Sequence, residues 1–165
     1  MRRARRSRCR RADGYAAGPR LPSAKHSVYL LDTNVVSELR RPKPHGGVVE
    51  WLEGVPDEQL HLSAVTLGEL QAGVEITREQ DAAKAEEIEA WIDHVEQVSN
   101  VRPVDGAIFR VWARLMYHRS DKLIEDALIA ATALVHNLTV VTRNARDFEP
   151  LGVETLNPFT PRRGR

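Results

Sequence analysis

Four carboxylates, Asp32, Glu69, Asp126 and Asp147, stand where acids are costly unless something compensates them. Asp32 ends the apolar run Val28-Tyr29-Leu30-Leu31. Asp147 follows a second run that includes Val140-Val141. Asp126 opens the helical segment Ile124–Ala133, and Glu69 lies within another helical stretch. A carboxylate at the end of a buried strand loses hydration and needs a partner. Several anions held together also raise one another's pKa values. A hard divalent cation, Mg²⁺ or Mn²⁺, relieves both costs and prefers oxygen ligands. It lowers the pKa of a bound water and steadies charge on a phosphoryl oxygen. The chemistry these four acids suggest is therefore phosphodiester hydrolysis.

Each acid also has a simpler explanation. Asp32 could serve only as a helix cap. Glu69 shares a helical stripe with Val65, Ala72 and Ile76, where it could lie at the margin of an apolar face. The stripe of Asp126 runs through Ile129, Ala130 and Ala133, yet an acid in a first turn also complements the helix dipole, a role that suits Glu125 next door. Asp147 could be an ordinary loop residue in an Asx-turn. Thr142 and Asn144 add neutral hydrogen-bonding groups near Asp147. Other site chemistries lack their motifs. The six histidines show no metal-type pairing, and one cysteine cannot build a zinc cluster. No dinucleotide fingerprint, phosphate-binding P-loop or nucleophile elbow occurs.

The elements that must position these residues alternate from end to end. Strands are expected at Val28–Leu31, Leu60–Ser63, Val101–Val104, Thr139–Thr142 and Val153–Leu156. A short helix capped by Thr33 or Asn34 stops before Pro42-Lys43-Pro44, and a second spans Gly46–Glu53. Ser63 caps Ala64–Ile76. A longer amphipathic helix is expected over Arg78–Val98, with Ile88, Trp91, Ile92, Val95 and Val98 at helical spacing. Asp105 caps a helix bearing Ile108, Val111, Trp112 and Leu115, and Ile124–Asn137 follows. Alternation of this kind predicts an α/β fold in which a short parallel β-sheet is sandwiched by α-helices.

A chain of 165 residues fits one domain. No run approaches the roughly 18 apolar residues of a membrane span, so no membrane role is expected. With Cys9 alone, no internal disulfide can form, which fits a reducing, cytoplasmic setting. The net charge of +1 hides a division. Residues 1–26 hold eight Arg and one Lys against one Asp, a surplus of +8, which leaves −7 for the rest. With no apolar run behind its arginines, this head is expected to be a disordered basic extension rather than a secretory signal, with an RNA-binding arm as the alternative. The nuclease-like domain would then cover 27–160, and the basic tail 161–165 would be frayed.

Four segments in order resemble one family. They are Leu31-Asp32-Thr33-Asn34-Val35-Val36-Ser37-Glu38-Leu39, Ser63–Leu70, Glu125–Ala133 and Val141–Phe148. Asn157-Pro158-Phe159 matches a frequent ending. From Val28 to Phe159 the chain resembles the PIN-domain ribonucleases, specifically the VapC-like toxins of bacterial toxin–antitoxin pairs. The resemblance implies a three-layer α/β/α fold and a Mg²⁺- or Mn²⁺-dependent endoribonuclease acting on RNA. It also implies a homodimer and a small antitoxin partner. It assigns catalysis and metal ligation to Asp32, Glu69, Asp126 and Asp147, and supporting polar roles to Thr33, Asn34, Thr142 and Asn144. One departure is Leu123, where many relatives have Pro. Arg40, Arg41, Lys43, Arg119, Lys122, Arg143 and Arg146 offer a basic rim for RNA phosphates. For the homodimer or antitoxin, the helices Ala64–Ile76 and Arg78–Val98 carry apolar surface that could cover a partner as well as a core. The alternative is that Trp91, Ile92 and Val95 fill only the domain's own core. Two competing functions are a catalytically inactive nucleic-acid or antitoxin-binding module, and another metal-dependent phosphohydrolase or DNA nuclease.

Overall fold

Five short strands and seven α-helices alternate along residues 27–160, the part of the chain that the computed structural model describes. The order is β1 (Tyr29–Leu31), α1 (Thr33–Leu39), α2 (Gly46–Glu53), β2 (Leu60–Ser63), α3 (Ala64–Arg78), α4 (Ala82–Val98) and β3 (Asn100–Arg102). It continues with α5 (Gly106–Met116), α6 (Ile124–His136), β4 (Thr139–Val141), α7 (Ala145–Phe148) and β5 (Thr155–Leu156). The disordered basic extension expected for residues 1–26 and the frayed tail at 161–165 lie outside the described residues. No described helix is long and apolar enough to cross a membrane.

All strand pairs are parallel, in the order β3-β2-β1-β4-β5. Alternation along the strands sends successive side chains to opposite faces. Leu30 and Val140, side by side in register, pack against Ala127, Ile129, Ala130 and Ala133 of α6, with Phe148 and Leu151. Leu31, Leu62 and Val141 pack on the other face against Val35, Val36, Val48 and Trp51 of α1 and α2. A third cluster, Val74, Ala85, Ile88 and Ile92, joins α3 to α4. The sheet thus lies between two helical layers, as the alternation predicts.

This strand order creates the site. The chain builds outward from β1 to β3, then crosses back to lay β4 on the other side of β1. The connections leaving the carboxyl ends of β1 and β4 therefore go to opposite faces of the sheet, α1 to one and Phe148 of α7 to the other, which is the arrangement at which open α/β sheets bind ligands.

Several boundaries differ from those expected. The long helix over Arg78–Val98 is divided: Arg78 closes α3, and Asp81 starts α4 by accepting a hydrogen bond from the Lys84 amide at 2.9 Å. The strand expected at Val101–Val104 ends at Arg102, because Pro103 has no N–H to donate to a ladder. Val28, Thr142 and Val153-Glu154 fall outside their strands, although Val28 and Glu154 still accept backbone hydrogen bonds from Thr139 and Val140. The cap of α1 is Asp32 rather than Thr33 or Asn34. Ser63 and Asp105 cap α3 and α5 as expected. Val98 is exposed instead of joining the apolar face of α4.

Candidate active site

Asp32 occupies the switch point and is only 5% exposed. Its amide completes the β1–β4 ladder by donating to the Val141 carbonyl at 3.0 Å. Its carboxylate divides its labour. Oδ1 accepts from the Thr33 amide at 2.7 Å, capping α1. Oδ2 accepts from the Thr142 hydroxyl at 2.7 Å and from the Asn34 side-chain amide. One oxygen thus caps α1, and the other joins the side chains of Asn34 and Thr142. Burial raises the Asp32 pKa, the three hydrogen bonds pull against that, and the charge of Asp147 adds to the rise.

Asn34 is itself held. It donates to Thr142 Oγ1 at 3.1 Å and accepts from the Arg143 amide at 2.9 Å. Thr142 Oγ1 also accepts from the Asn144 amide at 2.9 Å. Asn144 contributes this backbone N–H, and its side chain makes no capping bond to α7.

Glu69 lies on α3 and receives the Thr33 hydroxyl at 2.5 Å. Burial is the main cause raising its pKa, the Thr33 bond opposes it, and the charges of Asp32, Asp126 and Glu125 add to the rise. The stripe expected to carry it inward is corrected here: Ala72 and Ile76 are exposed, and α3 buries Thr66 and Val74 instead. Glu69 is half-buried at the margin of the buried face of α3. It borders a cleft of about 180 Å³ between α1, α3 and α4, lined also by Thr33, Arg40, Leu70 and Trp91.

Asp126 sits in the first turn of α6, half-buried, above Ile129, Ala130 and Ala133 in the core. Among the described residues its carboxylate has no hydrogen bond or ion pair. Burial first, then the charges of Asp32, Asp147 and Glu125, push its pKa up to about 6. Asp147 is exposed in the first turn of α7 and acts on both Asp32 and Asp126. Asp32 and Asp126 thus feel each other's charge, with Glu69 joined to both from one side and Asp147 from the other.

Their chemistry fits a divalent cation. The donors are all hard oxygens, and their mutual repulsion is what a cation would cancel. Among the described residues, however, no three His, Cys, Asp or Glu side chains already converge on one point as a closed cage.

The basic residues separate into two groups. Arg143 Nη2 binds Glu38 Oε2 at 3.0 Å, and its guanidinium stacks over the Phe159 ring. Arg41 also pairs with Glu38, and Arg119 donates to the Pro150 carbonyl at 2.6 Å. Arg40, Lys43, Lys122 and Arg146 are exposed and have no side-chain partner among the described residues.

Two features escaped the sequence reading. Glu38 is a 3%-exposed carboxylate on α1 that anchors Arg143. Its position was a usable signal, because Glu38 is three residues from buried Val35 and so on the same inward stripe. The second is the packing of the C-terminal segment. A Cβ at Gly47 would come within 2.6 Å of the Pro158 carbonyl, so only glycine there lets Asn157-Pro158-Phe159 lie against α2.

With this geometry in view, comparison with known proteins decides the family. The PIN domain profile matches residues 29–152. The chain belongs to the PIN-domain family. It is 35% identical over 142 residues to toxin FitB of Neisseria gonorrhoeae, covering 80% of this chain and 99% of that one. It is 36% identical over 145 residues to VapC ribonuclease Y4jK of Sinorhizobium fredii, covering 81% and 99%. Among solved structures, FitAB bound to a DNA fragment superposes with a TM-score of 0.72 at 30% identity, over 84% of this chain and all of the other. The VapC-like toxins are thus its relatives within the PIN-domain family, in sequence and in fold.

Proposed function

We propose that this PIN-domain protein is a metal-dependent endoribonuclease, the toxin of a toxin–antitoxin pair, with its nuclease unit in residues 27–160. One observation supports the proposal: a carboxylate oriented by three donors, Asp32, lies among three further acids, and among the described residues no cation is paired with any of the four. Such a site gains stability from a counter-ion.

Asp32, Glu69, Asp126 and Asp147 would hold Mg²⁺ or Mn²⁺. When bound, such an ion activates water and stabilises charge on a phosphoryl oxygen. The chain's own residues do the rest. Thr33, Asn34 and Thr142 fix the direction in which Asp32 presents its oxygens, and the Thr33 hydroxyl ties Glu69 to the same assembly. Asn144 supports Thr142 through its backbone amide. Arg40, Lys43, Lys122 and Arg146 are free to meet RNA phosphates and offset the repulsion between the substrate and an acidic site.

By similarity to a toxin–antitoxin complex from Klebsiella pneumoniae, 26% identical with a TM-score of 0.61, we assign a small antitoxin as partner, and we add to the proposal a second copy of the chain and a cytoplasmic setting. Ile92 is buried in the domain's own core, whereas Trp91 and Val95 pack against that core and stay partly exposed. Exposed Ile76 on α3 and Val98 on α4, with Leu39, Phe109, Tyr117, Leu134 and Val135, supply apolar surface for a partner.

Incubation of the purified chain with structured RNA, and with DNA of matching sequence, tests the assignment. Cleavage of RNA should stop in chelator and return with Mg²⁺ or Mn²⁺. Undiminished cleavage in chelator, or cleavage of DNA alone, would remove the metal-dependent ribonuclease assignment.

A further inference from the structure

Arg143 belongs to the basic rim in sequence, but its surroundings give it another task. Its guanidinium is held between buried Glu38, at 3.0 Å, and the Phe159 ring, 3.9 Å from the ring centre. Its carbonyl accepts from Asn157 Nδ2 at 3.0 Å. Its amide donates to Asn34 Oδ1 at 2.9 Å. Glu38 is fixed in turn, accepting from the His45 amide at 3.0 Å and pairing with Arg41 at 3.4 Å.

The Asn34 contact carries the consequence. A side-chain amide has an accepting and a donating end, and only its neighbours choose which way it faces. With Oδ1 claimed by the Arg143 amide, Nδ2 must face Asp32 Oδ2 and Thr142 Oγ1. The reversed amide would aim an oxygen at the Asp32 carboxylate. We propose that Glu38 and Arg143 are positioning residues. Their ion pair, backed by Phe159, holds the Arg143 backbone where it sets the Asn34 amide, and the amide sets Asp32.

The proposal rests on the nuclease reading only for its effect on cleavage, so the test includes measurements that do not need activity. In the full-length chain, Glu38→Gln keeps the shape but weakens the anchor. Arg143→Lys keeps a positive charge for any phosphate but loses the planar fork that stacks on Phe159. Three quantities are measured: the Asn34 side-chain amide resonances, assigned with Asn34→Ser; Mn²⁺ affinity by calorimetry; and kcat and KM on RNA. The wild type should show a resolved, slowly exchanging Asn34 amide pair. Both variants should broaden it, lose about tenfold in Mn²⁺ affinity, and lose kcat rather than RNA affinity. If Glu38→Gln does not fold, Arg143→Lys still decides, because it leaves Glu38 with Arg41 and the His45 amide. A folded variant with unchanged Asn34 resonances and Mn²⁺ affinity overturns the proposal. So does a loss confined to KM, which would make Arg143 a phosphate contact. A wild type that binds Mn²⁺ but cleaves no RNA would fail the nuclease reading and leave the positioning result standing.

Discussion

Asp32 and Asp126 act on each other electrostatically, yet the protein treats them oppositely. Asp32 is nearly buried and receives three hydrogen bonds, from Thr33, Asn34 and Thr142. Asp126 is half-buried and receives none among the described residues; burial and three neighbouring anions push its pKa up to about 6. Donors order the first carboxylate before any ion arrives. The second retains its repulsion, so a cation has something to relieve. On the proposed function, one end of the site would serve orientation and the other affinity.

The sharpest way to break this comparison is to neutralise the unsupported end. Asp126→Asn keeps the shape but removes one anionic ligand. RNA cleavage should fall below detection while circular dichroism stays that of the wild type. Retained cleavage would reduce Asp126 to a partner of its helix dipole.

Unsettling the ordered end should cost less activity but more stability. Thr142→Val removes a donor to Asp32 and leaves the Asn144 amide without its acceptor. Loss of a supporting group beside a ligand costs on the order of 10–100-fold in metal affinity or activity. Stranding buried polar groups costs about 1–3 kcal/mol. Denaturant melts and metal titrations of this variant should show both effects; an unchanged midpoint would contradict the bonded role of Thr142.

How far these roles were legible depended on the kind of signal. The alternation of apolar runs and helical stripes was enough for the layered fold, because periodicity reports burial directly. Asp32 and Asp126 were legible because acids at strand ends and on core stripes are anomalous. Glu69 was found for a reason that failed: its supposed core stripe ends in exposed Ala72 and Ile76, and the Thr33 hydroxyl is what ties it to the site. The contacts of Glu38 and Phe159 with Arg143 were not found because Arg143 is 105 and 16 positions away, and although the stripe of Glu38 hints at its burial, no local pattern encodes such a partner. The break before α4 was missed because Asp81 reads as another surface charge until its capping bond is seen.

A smaller effect is expected in the pH dependence of stability. The folded pKa of Asp126, about 6, lies above its ordinary value of 3.8, so the folded state holds that proton more tightly. The stability this confers is full below about 4 and is lost as pH rises through 6. Without metal, Tm should therefore fall by a few degrees across that window, with Asp32 and Glu69 adding in the same direction. In Asp126→Asn the slope should flatten. A wild-type Tm that climbs between pH 4 and 6.5, with the variant running parallel, would contradict the assigned repulsion.

The smallest effects belong to the rim. Lys122→Ala and Arg146→Ala should each lower the salt dependence of RNA binding by about one unit of slope, with metal affinity untouched. Equal slopes for variants and wild type would take these residues out of the RNA path.

The most direct measurement of the central claim is the melting temperature at pH 7.5, with and without Mn²⁺, for the wild type and Asp126→Asn. Saturation at 100 times Kd stabilises a folded protein by about 2.7 kcal/mol, which is several degrees for a domain of this size. The wild type should rise by that amount. The variant should start level with it or higher in chelator and gain much less from the ion. Equal gains in both proteins, or a variant that melts lower in chelator, would show that the carboxylates are not held in mutual repulsion around a shared cation.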